Sequence, residues 1–244
     1  MIPALILGRK SSKGFPGKNT FPINGKPLAW YPMKIAMDVS EIDKVYLSTD
    51  DPELIEIAEG VGVNIIERPD YLCSDSALGD DAYVHGYQEI IKANPDSNID
   101  IIVLLFCNVA TVTKAIISEG IQVLKNDPEI DSAVTVSKYN MWSPIRARKL
   151  DDKGLLQPFV PFETFGDPAT LNCDRDSQGD VLFADMGCSI VRSHCLENLE
   201  EGLLPQKWMG KKIHPLQQEA ACDIDYEWQV PVVKWWLDKY GDYE

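Results

Sequence analysis

Ile2-Pro3-Ala4-Leu5-Ile6-Leu7-Gly8-Arg9-Lys10-Ser11-Ser12-Lys13-Gly14-Phe15-Pro16-Gly17-Lys18-Asn19 stands at the start of the chain. An apolar run of strand length passes straight into a loop with three glycines, two serines and four cations, Arg9, Lys10, Lys13 and Lys18. Such a composition suits a polyphosphate cradle. Glycine lets the backbone approach an anion, amide N–H groups and hydroxyls turn inward, and Lys and Arg neutralise charge. The loop is neither GxxxxGK[ST] nor GxGxxG. A solvated loop kept soluble by its lysines is the plainer alternative. Against it stands the charge balance: the chain holds 38 Asp and Glu against 23 Lys and Arg, a net −15, so four cations within ten residues reverse the local sign.

Outward from this loop, strands and helices alternate. Pro27 to Val39 has helical spacing of apolar residues, and Lys44 to Asp50 reads as a strand with a polar end. Asp51-Pro52-Glu53 signals a helix start, closed by Gly60 and Gly62, and Val63 to Ile66 is a short strand. The alternation predicts an α/β fold, a Rossmann-like, mostly parallel sheet flanked by helices, in one domain over 1–244. Ligands of such sheets bind at the carboxyl ends of strands, where the opening loop and Ser48-Thr49-Asp50 would lie. Ile101 to Phe106 suits a central strand buried on both faces, and Thr111 or Thr113 can cap a helix beginning near Lys114. Ser74 or Asp75 is placed to cap the helix running through Tyr83 and Tyr87. Further strands are expected at Ser132 to Val136, Val181 to Val191 and Lys211 to Ile213, and an amphipathic helix at the end. Residues 138–180, with four prolines and little periodicity, read as a small β-rich arm inserted in the domain, since a bare loop of that length is improbable.

The sequence holds no apolar run of about eighteen residues and no leader-like N-terminus, so a cytoplasmic protein without a membrane contact is expected. Six scattered cysteines form no CxxC pair and signal neither zinc nor a disulfide framework. Net acidity argues against nucleic-acid binding. Near the other end, Asp223-Ile224-Asp225 puts two carboxylates on one side of an extended segment, able to face one hard cation, although Asp-x-Asp alone is commonly a helix cap.

Gly8-Arg9-Lys10-Ser11-Ser12-Lys13-Gly14-Phe15-Pro16-Gly17-Lys18-Asn19, followed by Asn24-Gly25-Lys26-Pro27-Leu28, resembles the opening of the acylneuraminate cytidylyltransferases, the CMP-sialic acid synthetase family. Arg68-Pro69 with Ser74 and Asp75 matches that family's segment for base and ribose, and Asp223-Ile224-Asp225 its Mg²⁺-holding motif. The resemblance implies transfer of CMP from CTP to an acidic acceptor, a nonulosonic-type sugar acid, with release of pyrophosphate. It implies nucleotide binding by Leu7, Gly8, Arg9, Lys13, Lys18, Asn19, Arg68, Ser74 and Asp75. Arg9, Lys18 and Asp225 take the catalytic roles, with Asp223 and Asp225 as ligands of Mg²⁺. It also implies a homodimer, with the arm packed on the second subunit.

The acceptor positions depart from the family. Where relatives read Leu-Leu-Gln-Pro-Thr-Ser-Pro-Leu-Arg, this chain reads Leu104-Leu105-Phe106-Cys107-Asn108-Val109-Ala110-Thr111-Val112, and Ala184 stands where a later arginine is usual. Asn108 and Arg146 are the remaining candidates for a small anionic acceptor. Two other readings follow from the departure: a CTP-dependent enzyme for a phosphonate or a phosphorylated metabolite, such as a phosphorylated amino acid, or a silent nucleotide-binding module.

Overall fold

The computed structural model describes residues 1–74 and 76–243. Chain order is β1 (Pro3–Leu7), β2 (Pro22–Ile23), β3 (Lys26–Pro27), α1 (Trp30–Asp38), β4 (Lys44–Thr49), α2 (Pro52–Val61), β5 (Asn64–Glu67), α3 (Gly79–Ala93) and β6 (Ile101–Phe106). Then follow α4 (Lys114–Asn126), β7 (Ser132–Lys138), β8 (Arg148–Leu150), β9 (Leu156–Pro158), β10 (Leu182–Arg192), α5 (Ser193–Glu197), β11 (Ile213–Gln218) and α6 (Val230–Tyr240). Seven strands form one sheet in the order β11-β7-β10-β6-β1-β4-β5. Only β10 runs antiparallel to its neighbours, so the sheet is Rossmann-like and mostly parallel.

Period-two alternation assigns each strand residue to a face. Ala4 and Ile6 of β1, with Ile101, Val103 and Leu105 of β6, meet α1, α2 and α4 on one side. Leu5 and Leu7, with Ile102 and Leu104, meet Tyr83, Tyr87 and Ile90 of α3 on the other. Burial on both faces explains why the central strands read as continuous apolar runs. A third cluster docks α6 by Val233, Trp236 and Leu237 against Ile23, Leu28 and Tyr31, with Ile224 among them.

Capping follows the sequence at two helices: Asp51 accepts from the N–H of Glu53 at the start of α2, and Thr113 from that of Ile116 at α4. Elsewhere the reading is corrected. Helix α3 begins at Gly79 behind Leu78 with no side-chain cap, so Ser74 does not cap it, and Asp75 lies outside the described residues. The strand expected at Lys211 to Ile213 begins where it was to end and runs Ile213–Gln218. Pro215 sits within it, which is tolerated because β11 is the edge of the sheet. In the excursion 138–180 the β structure is a single hairpin of β8 and β9, and the remainder is turns and short 3₁₀ helices.

Candidate functional site

A cleft of 420 Å³ opens at the carboxyl ends of β1, β5 and β6. Leu7, Gly8, Arg9, Lys13, Lys18, Asn19, Arg68, Asn108 and Asp225 all line it, as do the loop serines Ser11 and Ser12, together with Phe106 and Tyr226, which the sequence did not single out. Its lining holds four cations and one acid, the reverse of the chain's balance. Such a field draws an anion.

Two close approaches build it. At Gly8 an added Cβ would lie 2.6 Å from Cys107 Sγ and from Leu54 Cδ1, so glycine lets β1 end tightly between β6 and α2. At Gly14 an added Cβ would lie 2.5 Å from the carbonyl oxygen of Asp225, so glycine lets the cationic loop touch the acidic segment. Ile224, fully buried in the third cluster, anchors that segment while its neighbours Asp223 and Asp225 turn the other way.

Across this contact Lys18 Nζ donates to Asp225 Oδ1 at 2.6 Å. The lysine side chain is 13% exposed and the aspartate 55%, so the pair adds no more than about 1 kcal/mol to stability. Burial, then the charge of Asp225, holds the Asp223 carboxyl above its usual range, while Lys18 and a hydrogen bond from Asn108 pull it back. Two neighbouring carboxylates, one paying for its burial by a raised proton affinity, form a donor set that suits a hard cation sharing phosphate oxygens. These residues fit Mg²⁺.

Asn19 donates from Nδ2 to the carbonyl of Arg9 at 3.2 Å, and its buried Oδ1 has no partner among the described residues. An acceptor left bare inside a cleft asks for a donor from a ligand. Arg9 donates to the carbonyl of Ser74 at 2.7 Å, which ties the loop to the segment before α3. Arg68 is 6% exposed and donates to Ser48 through Oγ at 3.1 Å and the carbonyl at 2.5 Å. Burial lowers its proton affinity, and the surrounding Cys73, Cys107, Asp50 and Tyr83 act against that. Arg68 thus braces the end of β4 while facing the cleft.

Three candidates lie elsewhere. Ser74 borders a neighbouring groove, Asp223 is not among the residues that line the cleft although its carboxyl interacts with Asp225 and Lys18, and Arg146 donates to the carbonyl of Cys173 at 2.6 Å within the excursion. Asn108 spends its amide on the carbonyl of Ile224 at 3.2 Å. Its backbone carbonyl accepts from the N–H of Ile224 at 2.9 Å, so the residue holds the acidic segment in place. His194 lies 3.2 Å from Asp131, whose other oxygen accepts from the N–H groups of Lys211 and Lys212, a latch on the turn into β11. No cysteine is bonded to another; Cys107, Cys188 and Cys195 are buried and Cys173 is exposed.

With this geometry in view, a cytidylyltransferase family profile matches residues 3–152, more than half of the chain. The chain belongs to the cytidylyltransferase family. Among curated proteins, the N-acylneuraminate cytidylyltransferase of Oncorhynchus mykiss is 24% identical over 234 residues, 94% of this chain and 49% of that protein. The pseudaminic acid cytidylyltransferase of Campylobacter jejuni is 29% identical over 136 residues, 55% of this chain and 58% of that one. The cytidylyltransferase chain described here thus spans about half the length of the curated relatives it matches. The fold is shared with a solved CMP:2-keto-3-deoxy-manno-octonic acid synthetase complexed with CTP, at a TM-score of 0.66, 18% identity and 98% coverage of both chains. It is shared too with the 4-diphosphocytidyl-2C-methyl-D-erythritol synthase of Anaerococcus prevotii, at a TM-score of 0.61 and 14% identity, covering 98% of this chain and 96% of that one. Among the described residues, no helix is long and apolar enough to cross a membrane.

Proposed function

We propose that this cytidylyltransferase-family chain binds CTP in the cation-lined cleft and transfers CMP to a sugar acid of the nonulosonic type. An acceptor oxygen attacks the α-phosphorus, the bond to the β-phosphate breaks, and pyrophosphate leaves with the electron pair while the acceptor hydroxyl gives up its proton. The observation that carries this reading is the meeting of Lys18 and Asp225 at 2.6 Å on one wall of the cleft. A triphosphate needs cations for its oxygens, and a cation of its own held by carboxylates.

In this account Arg9, Lys13 and Lys18 bind the triphosphate and stabilise the charge that develops on the leaving pyrophosphate. Leu7 and Gly8 form the floor beneath the nucleotide, and the bare oxygen of Asn19 receives a nucleotide donor. Arg68 holds the strand end against which base and ribose rest, and Ser74 and Asp75 are assigned to the same nucleotide contacts. Alignment of acceptor oxygen and phosphorus supplies most of the acceleration, because nucleotidyl transfer asks little covalent chemistry of the protein. Asp223 and Asp225 hold Mg²⁺, which when bound supplies Lewis-acid neutralisation of the phosphates. The proton of the acceptor hydroxyl passes to Asp225 or to a water in the cleft.

The excursion 138–180 serves as the contact with a second copy in a homodimer and brings Arg146 to the partner's cleft. Its exposed Trp142, Leu156 and Phe159 support that use. A second reading of the acceptor follows from the glutamine and arginine that relatives carry and this chain lacks around Phe106 and at Ala184: a phosphonate or a phosphorylated small metabolite, which would not need them, in place of a sugar acid. Incubation with CTP, Mg²⁺ and a panel of sugar acids, phosphonates and phosphorylated metabolites tests both, by pyrophosphate release and mass detection of the CMP product. A CMP-sugar acid supports the first reading and a CMP-phosphonate or CMP-phosphate the second. Measurable CTP affinity with no release from any member contradicts both.

A further inference from the structure

Asp185 lies in β10 where its pairing with β7 is interrupted between Ala184 and Ser189, and only 5% of it is exposed. The next residue, Met186, has φ 63°, a left-handed backbone that a side-chain-bearing residue adopts only when its surroundings hold it there. At Gly187 an added Cβ would lie 2.8 Å from both Gln218 Nε2 and Thr135 Oγ1. The backbone is therefore folded closely around the Asp185 carboxylate. Its donors are all neutral: Ser137 Oγ at 2.7 Å, the Gly187 N–H at 3.0 Å and Gln218 Nε2 at 3.1 Å. No cation pairs with it among the described residues. A buried carboxylate with only neutral donors bears a desolvation cost that an apolar side chain would not, so stability alone does not call for an acid here.

The donors lead to the acidic pair. Ser137 has one proton, and giving it to Asp185 leaves a lone pair that accepts from the N–H of Ala221 at 3.2 Å. Gln218 joins Asp185 to the carbonyl of Thr111 at 3.1 Å, and the Thr111 hydroxyl meets both the N–H and the carbonyl of Cys222 at 3.2 Å. Tyr139 donates to the carbonyl of Ala221 at 2.8 Å. Of these groups Ser137 and Gln218 touch Asp185, so the buried carboxylate is tied to the backbone before Asp223, while Asn108 holds Ile224 on the other side without contacting it.

We propose that Asp185 is a positioning residue: through Ser137 and Gln218 it fixes the backbone of residues 218–222 and so the direction in which Asp223 presents its carboxylate to the metal. This role rests on the reading of the cleft as a Mg²⁺-nucleotide site. Loss of a hydrogen bond that orients a metal ligand costs about tenfold to a hundredfold in metal affinity.

The test is Mn²⁺ binding to the whole chain in the presence of CTP and absence of acceptor, followed by the paramagnetic signal of the free ion, so no turnover enters. Asp185→Asn is expected to weaken Mn²⁺ by about tenfold or more, while metal-free CTP affinity stays within about twofold. Ser137→Ala is expected to do the same, and the double variant to be scarcely worse than either single one, because both act on one network. Mn²⁺ affinity unchanged in folded Asp185→Asn overturns the proposal whatever the variant's melting temperature. Should that variant not fold, Ser137→Ala and Gln218→Met carry the test, and unchanged Mn²⁺ affinity in both overturns it. Wild-type chain that binds no Mn²⁺ with CTP overturns the nucleotide reading as well, whereas wild-type binding with unaffected variants overturns the positioning role alone.

Discussion

Lys18 Nζ and Asp225 Oδ1 stand 2.6 Å apart although 207 positions separate the two residues in sequence. The contact joins the loop that follows β1 to a segment that precedes the last helix, and it puts the cations and the Asp225 carboxylate on one cleft. Removal of the Lys18 charge is expected to lower turnover by about a hundredfold to a thousandfold, as for loss of one donor to developing charge. Lys18→Ala and Asp225→Ala should each keep the wild-type melting temperature within a few degrees, since the pair is half open to water and adds about 1 kcal/mol or less. Pyrophosphate release and circular dichroism on the same samples check both halves.

Gly14→Ala tests the closeness of loop and acidic segment. The new Cβ would fall 2.5 Å from the backbone oxygen of Asp225, and backbone cannot turn aside as a side-chain tip can. CTP affinity is expected to fall about tenfold, the equivalent of about 1.4 kcal/mol of strain in the bound state. Calorimetric titration of wild type and variant measures this; equal affinities would show that the two segments need not touch.

The raised proton affinity of Asp223 gives a pH dependence of definite sign. Folded, its carboxyl holds a proton to higher pH than the ordinary value of 3.8, so between 3.8 and the raised value the folded state binds more protons than the unfolded one. Stability therefore falls as pH rises through that window, and metal binding, which needs the carboxylate, falls as pH drops through it. Asp225→Asn removes a charge that raises Asp223 and should move its titration to lower pH, whereas Lys18→Ala should move it higher. Carbon-detected NMR of the Asp223 carboxyl follows the shift directly.

Arg68 and Ser48 form a buried joint whose partners are unequal. Arg68→Met removes both charge-assisted contacts, the Ser48 carbonyl keeping only the N–H of Gly8 at 3.2 Å, and is expected to destabilise by about 1–3 kcal/mol, while Ser48→Ala removes only the longer contact and should cost about 1 kcal/mol. Urea unfolding of the two variants ranks them.

Thr113→Ala serves as a control far from the chemistry. It removes the hydroxyl that accepts from the N–H of Ile116 at the start of α4, so stability should drop by about 1 kcal/mol with CTP affinity unchanged.

Much of this was legible in the sequence, for physical reasons. The apolar run before Gly8 and the Asp51-Pro52 start of α2 carry local signals that tertiary packing did not override. Ile224 between two aspartates is itself such a signal, one buried residue turning two acids the other way. Other parts leave no local trace. Pro215 argues against a strand until the position is known to be an edge, and α3 begins at a glycine without a capping side chain. Arg146 reads as a cation available to a ligand, yet within one chain it is spent on the carbonyl of Cys173. Asp185 is the clearest case: nothing near it in sequence tells a buried hub from a surface acid, because its partners come from β7 and β11.

Calorimetric CTP binding, with Mg²⁺ and with chelator, to wild type, Lys18→Ala and Asp225→Ala tests most directly whether the cationic loop and the acidic pair hold one metal-bearing triphosphate. The expected result is binding that strengthens at least about tenfold with Mg²⁺ in wild type, loses that gain in Asp225→Ala and weakens under both conditions in Lys18→Ala. Equal CTP affinity in all three proteins, with or without Mg²⁺, would contradict the account.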